Sequence, residues 1–184
     1  MMQREINDEV NIYAAKKARE LGLGVILDLG GQDIELKQEL IQNCTIVSPN
    51  ETEITRLLKR PINVFNDEEL KLSCDEIRKV YQNNNLEFLV KLGSKGCLFL
   101  DKSNNILKQK AFKIESMKIV DTTGAGDCFT GSFTSYYSKT KNLEKSLLFA
   151  TAAAYKSITR FGASTSCPTY DEVLEVLSLA NEKL

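Results

Sequence analysis

The stretch Val120-Asp121-Thr122-Thr123-Gly124-Ala125-Gly126-Asp127-Cys128-Phe129 decides the fold assignment, because it joins a β-branched segment to a helix through a glycine-containing turn. At a strand-to-helix junction the first amides of the helix point outward without partners, and such amides attract anions. Gly124, Ala125 and Gly126 have little or no side chain, so a phosphate can approach the backbone closely. The stretch therefore predicts a phosphate-binding turn between a strand and a helix.

Asp127 stands directly after this turn, at the start of the predicted helix. An acid there would repel phosphate unless it served another purpose, and a carboxylate can accept a proton from an incoming hydroxyl. The neighbouring amides would stabilise the charge of a phosphoryl group in transfer. The residues alone leave a simpler alternative open, since aspartate often caps helices and glycine-rich turns are common.

The remaining chain alternates between helical and strand-like patterns. Apolar spacing predicts helices over residues 8–21, 33–42, 50–59, 67–82, 125–139, 142–158 and 170–182. Short apolar runs predict strands over residues 25–29, 45–47, 88–92 and 97–100, with a further strand after the turn at 103–105. This alternation predicts one α/β domain over residues 1–184, with three layers and a largely parallel sheet.

Composition excludes several classes of function. The net charge is −1 without a basic cluster, which argues against binding to nucleic acid or to a membrane surface. No apolar run approaches the roughly 20 residues that a bilayer requires, and the first twenty residues lack signal-peptide features, so a cytoplasmic location is expected. The absence of histidine excludes Ser-His-Asp and Cys-His hydrolysis and imidazole-ligated metals.

The cysteines are odd in number and contain no CxxC pair, so small buried thiols are predicted rather than a disulfide framework or a zinc site. They are Cys44, Cys74, Cys97, Cys128 and Cys167.

Residues 121–131 (DTTGAGDCFTG) resemble, almost residue for residue, the carboxy-terminal signature of the PfkB-type, ribokinase-like carbohydrate kinases. Three more segments are similar to the same family in the same order: 48–53 (SPNETE), 91–96 (KLGSKG) and 160–168 (RFGASTSCP). The resemblance implies an α/β/α ribokinase-like sandwich. It extends over the whole chain but covers only the carboxy-terminal, ATP-binding part of a family member.

The resemblance implies that Asp127 is the catalytic base and also holds the sugar hydroxyl that is phosphorylated. By the same similarity the amides of Gly124, Ala125 and Gly126 form an anion hole. Asn50 and Glu53 would act on the phosphates and on Mg²⁺, partly through water, although a capping pair at a helix start is the alternative.

Further nucleotide contacts are implied for Lys91, Gly93, Ser94, Gly96 and Ala154. For the glycines the alternative is a plain hairpin turn, and for Ala154 it is simple helix packing. Many family members have threonine where this chain has Lys91. A K⁺ site bound largely through carbonyl oxygens is implied for Asp121, Thr123, Ser157, Arg160, Gly162 and Ser166.

The expected activity is the ATP-dependent phosphorylation of a sugar hydroxyl, with D-ribose as the expected substrate. The alternatives are another small substrate on the same fold, such as a nucleoside or fructose, and a non-catalytic nucleotide-binding remnant. Only one short strand fits before residue 8, so the chain is expected to lack the family's amino-terminal strands and lid. Residues 1–184 alone are then expected to be weakly active at best, and a homodimer is expected only in a full-length protein.

Overall fold

The computed structural model of the protein describes residues 1–30, 35–113 and 117–184. Its helices are α1 (Asp8–Glu20), α2 (Gln38–Gln42), α3 (Glu51–Leu58), α4 (Asp67–Val80), α5 (Ala125–Thr140), α6 (Leu143–Ser157) and α7 (Tyr170–Leu179). Its strands are β1 (Ile26–Asp28), β2 (Ile46–Ser48), β3 (Glu87–Lys91), β4 (Cys97–Leu100) and β5 (Ile106–Gln109).

The described residues divide into two compact units. The first contains Met1–Leu92 and Leu98–Leu107, and the second contains Gly93–Cys97 and Lys108–Leu184.

The first unit is built on a sheet with the strand order β1-β2-β3-β4-β5. The first three strands are parallel, with Ile26 opposite Ile46 and Val47 opposite Phe88. Every residue of β1 and β2 is buried, as expected for parallel strands covered on both faces. The predicted parallel pairing is confirmed for β1, β2 and β3, whose carboxyl ends lie at one edge of the sheet.

The second unit packs α5, α6 and α7 around an apolar core of its own. Phe149 is buried in this core, and its ring centroid lies 4.7 Å from that of Tyr136 and 5.5 Å from that of Tyr170. Helices α5 and α6 are separated by two residues, Lys141 and Asn142, and Lys141 adopts a left-handed backbone conformation with φ 54°.

Several helices begin where a short polar side chain caps them, although α2 and α5 have no such cap. Asn7, Asn50, Asn66 and Asn142 each accept hydrogen bonds from amides in the first turn of the helix that follows. These caps explain why the helix starts could be predicted to within a few residues.

Two predicted elements differ from the structure. The β-branched segment before the glycine turn forms no strand, and Ile119 and Val120 are 66% and 42% exposed. The amides of Val120 and Asp121 instead donate to one carbonyl, that of Ile158. The helix predicted over 33–42 is shorter, because residues 35–37 are not helical and residues 31–34 lie outside the described parts of the chain.

A buried arginine ties α4 to the turn between β4 and β5. Arg78 is 4% exposed, and its Nε donates to the Leu86 carbonyl at 2.9 Å. Its other nitrogens donate to Asp75 at 2.8 Å, to the Asn104 side chain at 2.6 Å and to the Asp101 carbonyl at 2.7 Å. The guanidinium also lies 5.3 Å from the centre of the Phe88 ring.

Among residues 1–30, 35–113 and 117–184, no helix combines the length and the apolar composition needed to cross a membrane.

Candidate active site

The candidate site is built around the amino terminus of α5, which belongs to the second unit. Gly124 precedes the helix with φ 73°, a left-handed conformation that favours glycine, and no side chain caps the helix. The Ala125 amide donates to the Thr122 carbonyl at 3.2 Å, so it is already engaged in the turn. The amides of Gly124 and Gly126 make no hydrogen bond to any residue that the structure describes. Two of the three amides predicted to form an anion hole therefore remain available.

Asp127 lies in the first turn of α5 and is exposed. A carboxylate with a general-base role must be reachable by a substrate hydroxyl, and the exposure of Asp127 meets this condition.

The turn before α5 is held against a second loop that follows α6. One carboxylate oxygen of Asp121 accepts from the Thr123 amide at 2.9 Å, and the other accepts from the Gly162 amide at 3.1 Å. These hydrogen bonds, with that to Thr123 contributing most, lower the pKa of Asp121 below its usual value. A methyl group on Gly124 would lie 3.0 Å from the Ala163 side chain, so the two loops are in close contact.

Arg160 organises the second loop. Its Nε donates to the Ser166 carbonyl at 3.0 Å, and one of its terminal nitrogens donates to the Cys167 carbonyl at 3.1 Å. The guanidinium also binds both carboxylate oxygens of Glu172, at 2.8 and 3.1 Å. The hydrogen bonding to Arg160 lowers the pKa of Glu172 to about 2, with help from the Thr169 amide.

The predicted K⁺ ligands therefore share one region of the second unit. Asp121 contacts Thr123 and Gly162, and Arg160 contacts Ser166. Ser157 is buried at the end of α6, one residue before the carbonyl that accepts from Val120 and Asp121. Carbonyl and carboxylate oxygens suit a hard cation, so the donor set fits K⁺.

Asn50 and Glu53 form a closed capping box at the start of α3. The Asn50 side chain accepts from the amides of Thr52 and Glu53 at 2.9 and 2.8 Å. The Glu53 carboxylate accepts from the Asn50 backbone at 2.8 Å and from its side-chain amide at 2.9 Å. The capping alternative is thus confirmed, and both Glu53 oxygens already have a partner, which suits a role toward Mg²⁺ through water rather than by direct coordination alone.

A buried ion pair beside this box was missed from the sequence. The Lys91 ammonium lies 2.8 Å from both carboxylate oxygens of Asp28, and the two side chains are 14% and 3% exposed. Burial raises the pKa of Glu53, Lys91 opposes this shift, and Asp28 adds to it, so the three charges interact. An aspartate and a lysine that each follow a run of apolar residues, at the ends of β1 and β3, were the available signal.

Asp28 also accepts from the Gly30 amide at 3.0 Å. A methyl group on Gly30 would lie 3.3 Å from Asp28 and 3.7 Å from Glu53. Gly30 therefore permits the close approach of this segment to the two carboxylates.

The segment Gly93–Lys95 forms a single 3₁₀ turn, and the Gly96 amide donates to the Gly93 carbonyl at 3.1 Å. Gly96 has φ 98°, and a methyl group there would lie 2.0 Å from the Gln109 carbonyl. The turn therefore requires glycine at position 96, independently of any contact with a nucleotide. On α6, Ala150, Ala152 and Ala153 are fully buried, whereas Ala154, predicted to contact adenine, is half-buried.

Four of the five cysteines are buried as predicted, but Cys167 is exposed. In the parts of the chain that the structure describes, no group of three His, Cys, Asp or Glu side chains is placed to hold a metal ion.

Comparison with known proteins identifies the family. The model of the pfkB family of carbohydrate kinases matches residues 1–170. The chain belongs to the pfkB carbohydrate kinase family. The matched range includes the glycine turn, α5 and the capping box at Asn50, so the resemblance stated from the sequence is confirmed.

The pfkB relatives include the ribokinases of Arabidopsis thaliana and Lactococcus lactis. The ribokinase of Arabidopsis thaliana is 38% identical over 180 residues, which cover 98% of this chain and 46% of the relative. The ribokinase of Lactococcus lactis is 32% identical, over 94% of this chain and 51% of the relative. The chain therefore spans about half the length of these relatives.

A solved ribokinase structure has the same fold as this pfkB-family chain. The structure of Arabidopsis thaliana ribokinase complexed with ribose and ATP superposes with a TM-score of 0.87. It is 38% identical to this chain and matches 96% of it, and this chain covers 55% of the solved chain. The predicted ribokinase-like α/β fold is confirmed.

Proposed function

We propose that the protein is a cytoplasmic, ATP-dependent sugar kinase that converts D-ribose to ribose 5-phosphate. The observation that carries the proposal is the start of α5, where two unbonded glycine amides stand next to an exposed carboxylate. The relatives support the sugar, since those of Arabidopsis thaliana and Lactococcus lactis are ribokinases and the former was solved with ribose and ATP.

Asp127 takes the proton from the attacking sugar hydroxyl in this proposal. The amides of Gly124 and Gly126 bind the oxygens of the transferring phosphoryl group, where negative charge must be stabilised. The positive end of the α5 dipole favours that charge as well. The Ala125 amide contributes less than the amides of Gly124 and Gly126, because it already donates to the Thr122 carbonyl.

Asn50 and Glu53 are proposed to act on the nucleotide phosphates and on Mg²⁺ through water. A bound Mg²⁺ would neutralise phosphate charge. The capping box fixes the two side chains before any ligand arrives, so little conformational entropy is lost on binding. We propose nucleotide contacts for Lys91, Gly93, Ser94, Gly96 and Ala154. The Lys91 ammonium is committed to Asp28 and its amide to the Pro49 carbonyl, so its contact involves other atoms of the residue.

The substrate proposal is tested with a panel of sugars. In the natural protein that carries this sequence, we expect D-ribose to give faster ADP release than fructose, a nucleoside or 2-deoxyribose. A clear preference for one of those acceptors would retain the kinase and reject ribose. ATP binding without phosphoryl transfer to any acceptor would instead favour a non-catalytic nucleotide-binding protein.

The K⁺ proposal gives a separate prediction. The loops at Asp121–Thr123 and Arg160–Ser166 would hold K⁺ and so fix the turn that carries the Gly124 and Gly126 amides. We expect turnover to fall when K⁺ is replaced with Na⁺, and Asp121→Asn to reduce the difference between the two salts. Equal turnover of the unaltered protein in both salts would contradict a K⁺ site.

A further inference from the structure

A buried ion pair joins the carboxyl ends of two strands that are not neighbours in the sheet. Asp28 is the last residue of β1 and Lys91 is the last residue of β3, and β2 lies between them. Two strands that flank a third are about 10 Å apart, so only a long side chain can cross that distance. The Lys91 ammonium lies 2.8 Å from both oxygens of the Asp28 carboxylate. The pair therefore connects β1 to β3 at the end of β2.

The chain that leaves β2 is held from both sides. The Ser48 carbonyl accepts from the Leu29 amide at 3.2 Å, and the Pro49 carbonyl accepts from the Lys91 amide at 2.8 Å. The next residue is Asn50, whose side chain caps α3. The backbone that leads into the cap is thus hydrogen-bonded to the ends of both flanking strands, and the ion pair holds those two ends together.

The ion pair also borders the capping box that Asn50 and Glu53 form. A methyl group on Gly30 would lie 3.3 Å from an Asp28 oxygen and 3.7 Å from the Oε1 atom of Glu53. This same Oε1 atom accepts from the Asn50 side-chain amide at 2.9 Å. Two carboxylates that border one small space repel each other, and the Lys91 ammonium supplies the compensating charge.

We propose that Lys91 and Asp28 are positioning residues for Mg²⁺ and nucleotide binding, because their ion pair holds the capping box of Asn50 and Glu53 in place. The role of the box toward Mg²⁺ rests on the proposed function, whereas the hold of the ion pair on the box does not. The Lys91 ammonium acts through the box and not on the reacting atoms. Removing a partner that orients a metal-binding side chain typically costs about 10- to 100-fold in metal affinity.

The informative variant removes both charges at once. Asp28→Asn combined with Lys91→Met leaves the net charge of the site unchanged, and the asparagine oxygen can still accept from the Gly30 amide. Replacing a whole buried ion pair with uncharged residues is often neutral for stability, whereas removing one partner leaves a buried charge without compensation. The double variant should therefore fold. Its matched control is Glu35→Gln combined with Lys59→Met, which removes a 2.8 Å ion pair whose side chains are both 75% exposed.

The first measurement needs no ligand. The amides of Thr52 and Glu53 donate to the Asn50 side chain, so their hydrogen exchange reports how firmly the box is held. We expect both amides to exchange about tenfold faster or more in the double variant. The amides at the start of α4, which the Asn66 side chain caps in the same way, should not change. Unchanged exchange at Thr52 and Glu53 would overturn the proposal.

The second measurement is the Mg²⁺ dependence of ATP binding, by calorimetry, and of turnover in the natural protein that carries this sequence. The double variant should need about 10- to 100-fold more Mg²⁺ for half-maximal ATP binding, and the control variant should need no more than the unaltered protein. At saturating Mg²⁺, kcat should stay within about threefold, because Asp127 and the glycine amides before it are untouched. Lys91→Arg should preserve the Mg²⁺ requirement, because a guanidinium can bind both Asp28 oxygens.

The outcomes separate this proposal from the proposed function. An unchanged Mg²⁺ requirement in the double variant, or a lower kcat with the same requirement, would overturn the positioning role. ATP binding to the unaltered protein that needs no Mg²⁺ would overturn it as well. The expected shift in Mg²⁺ requirement for ATP binding, without phosphoryl transfer by the unaltered protein, would support the positioning role and reject the sugar kinase.

Discussion

Replacing Asp127 with asparagine should lower kcat by about 10²- to 10⁴-fold, the usual loss when a general base is removed. The amide keeps the size of the side chain but cannot accept the hydroxyl proton. Asp127 is exposed in the first turn of α5, so the substitution leaves the core intact. Affinity for ATP should change little, since the Gly124 and Gly126 amides remain in place. The measurements are the rate of ADP release and the Kd for ATP by calorimetry.

Asp171→Asn is the matched control, because Asp171 is also an exposed aspartate in the first turn of a helix. It should leave kcat within experimental error of the unaltered protein. If Asp127→Asn retained turnover comparable to that of the control, Asp127 could not be the base, and the proposed mechanism would fail.

Arg78→Met should produce the largest loss of stability outside the candidate active site. Methionine fills similar volume but leaves the Leu86 and Asp101 carbonyls and the Asn104 side chain without their donor. Unsatisfied buried acceptors are costly, so we expect the free energy of unfolding to fall by about 3–5 kcal/mol. In a chain of this size that corresponds to a decrease of roughly 6–20 °C in Tm.

Lys79→Met is the control, since Lys79 is the next residue of α4 and is exposed. Surface substitutions of this kind usually change stability by no more than about 0.5 kcal/mol. Arg78→Lys should fall between the two, because lysine keeps the charge but cannot reach all the acceptors at once. Equal unfolding midpoints for Arg78→Met and Lys79→Met would show that the network contributes little.

Short stretches of sequence were sufficient to predict most of the helices and strands. Apolar runs at β1, β2 and β3 and asparagine caps before α1, α3, α4 and α6 are short-range signals, and the elements they predict are present. The glycine turn before α5 and the capping box at Asn50 could also be predicted from the sequence, because each depends on neighbouring residues. The segment before Gly124 was misjudged, since β-branched residues fit a strand only where a partner strand exists.

Contacts between residues distant in the chain could not be predicted from short stretches of sequence. Lys91 and Asp28 are 63 residues apart, and Asp121 and Gly162 are 41 apart. Their pairing depends on which strand ends and loops the folded backbone brings together, and no short-range pattern encodes that. Burial of the Lys91–Asp28 charges and the hydrogen bond from Gly162 to Asp121 follow from that three-dimensional arrangement.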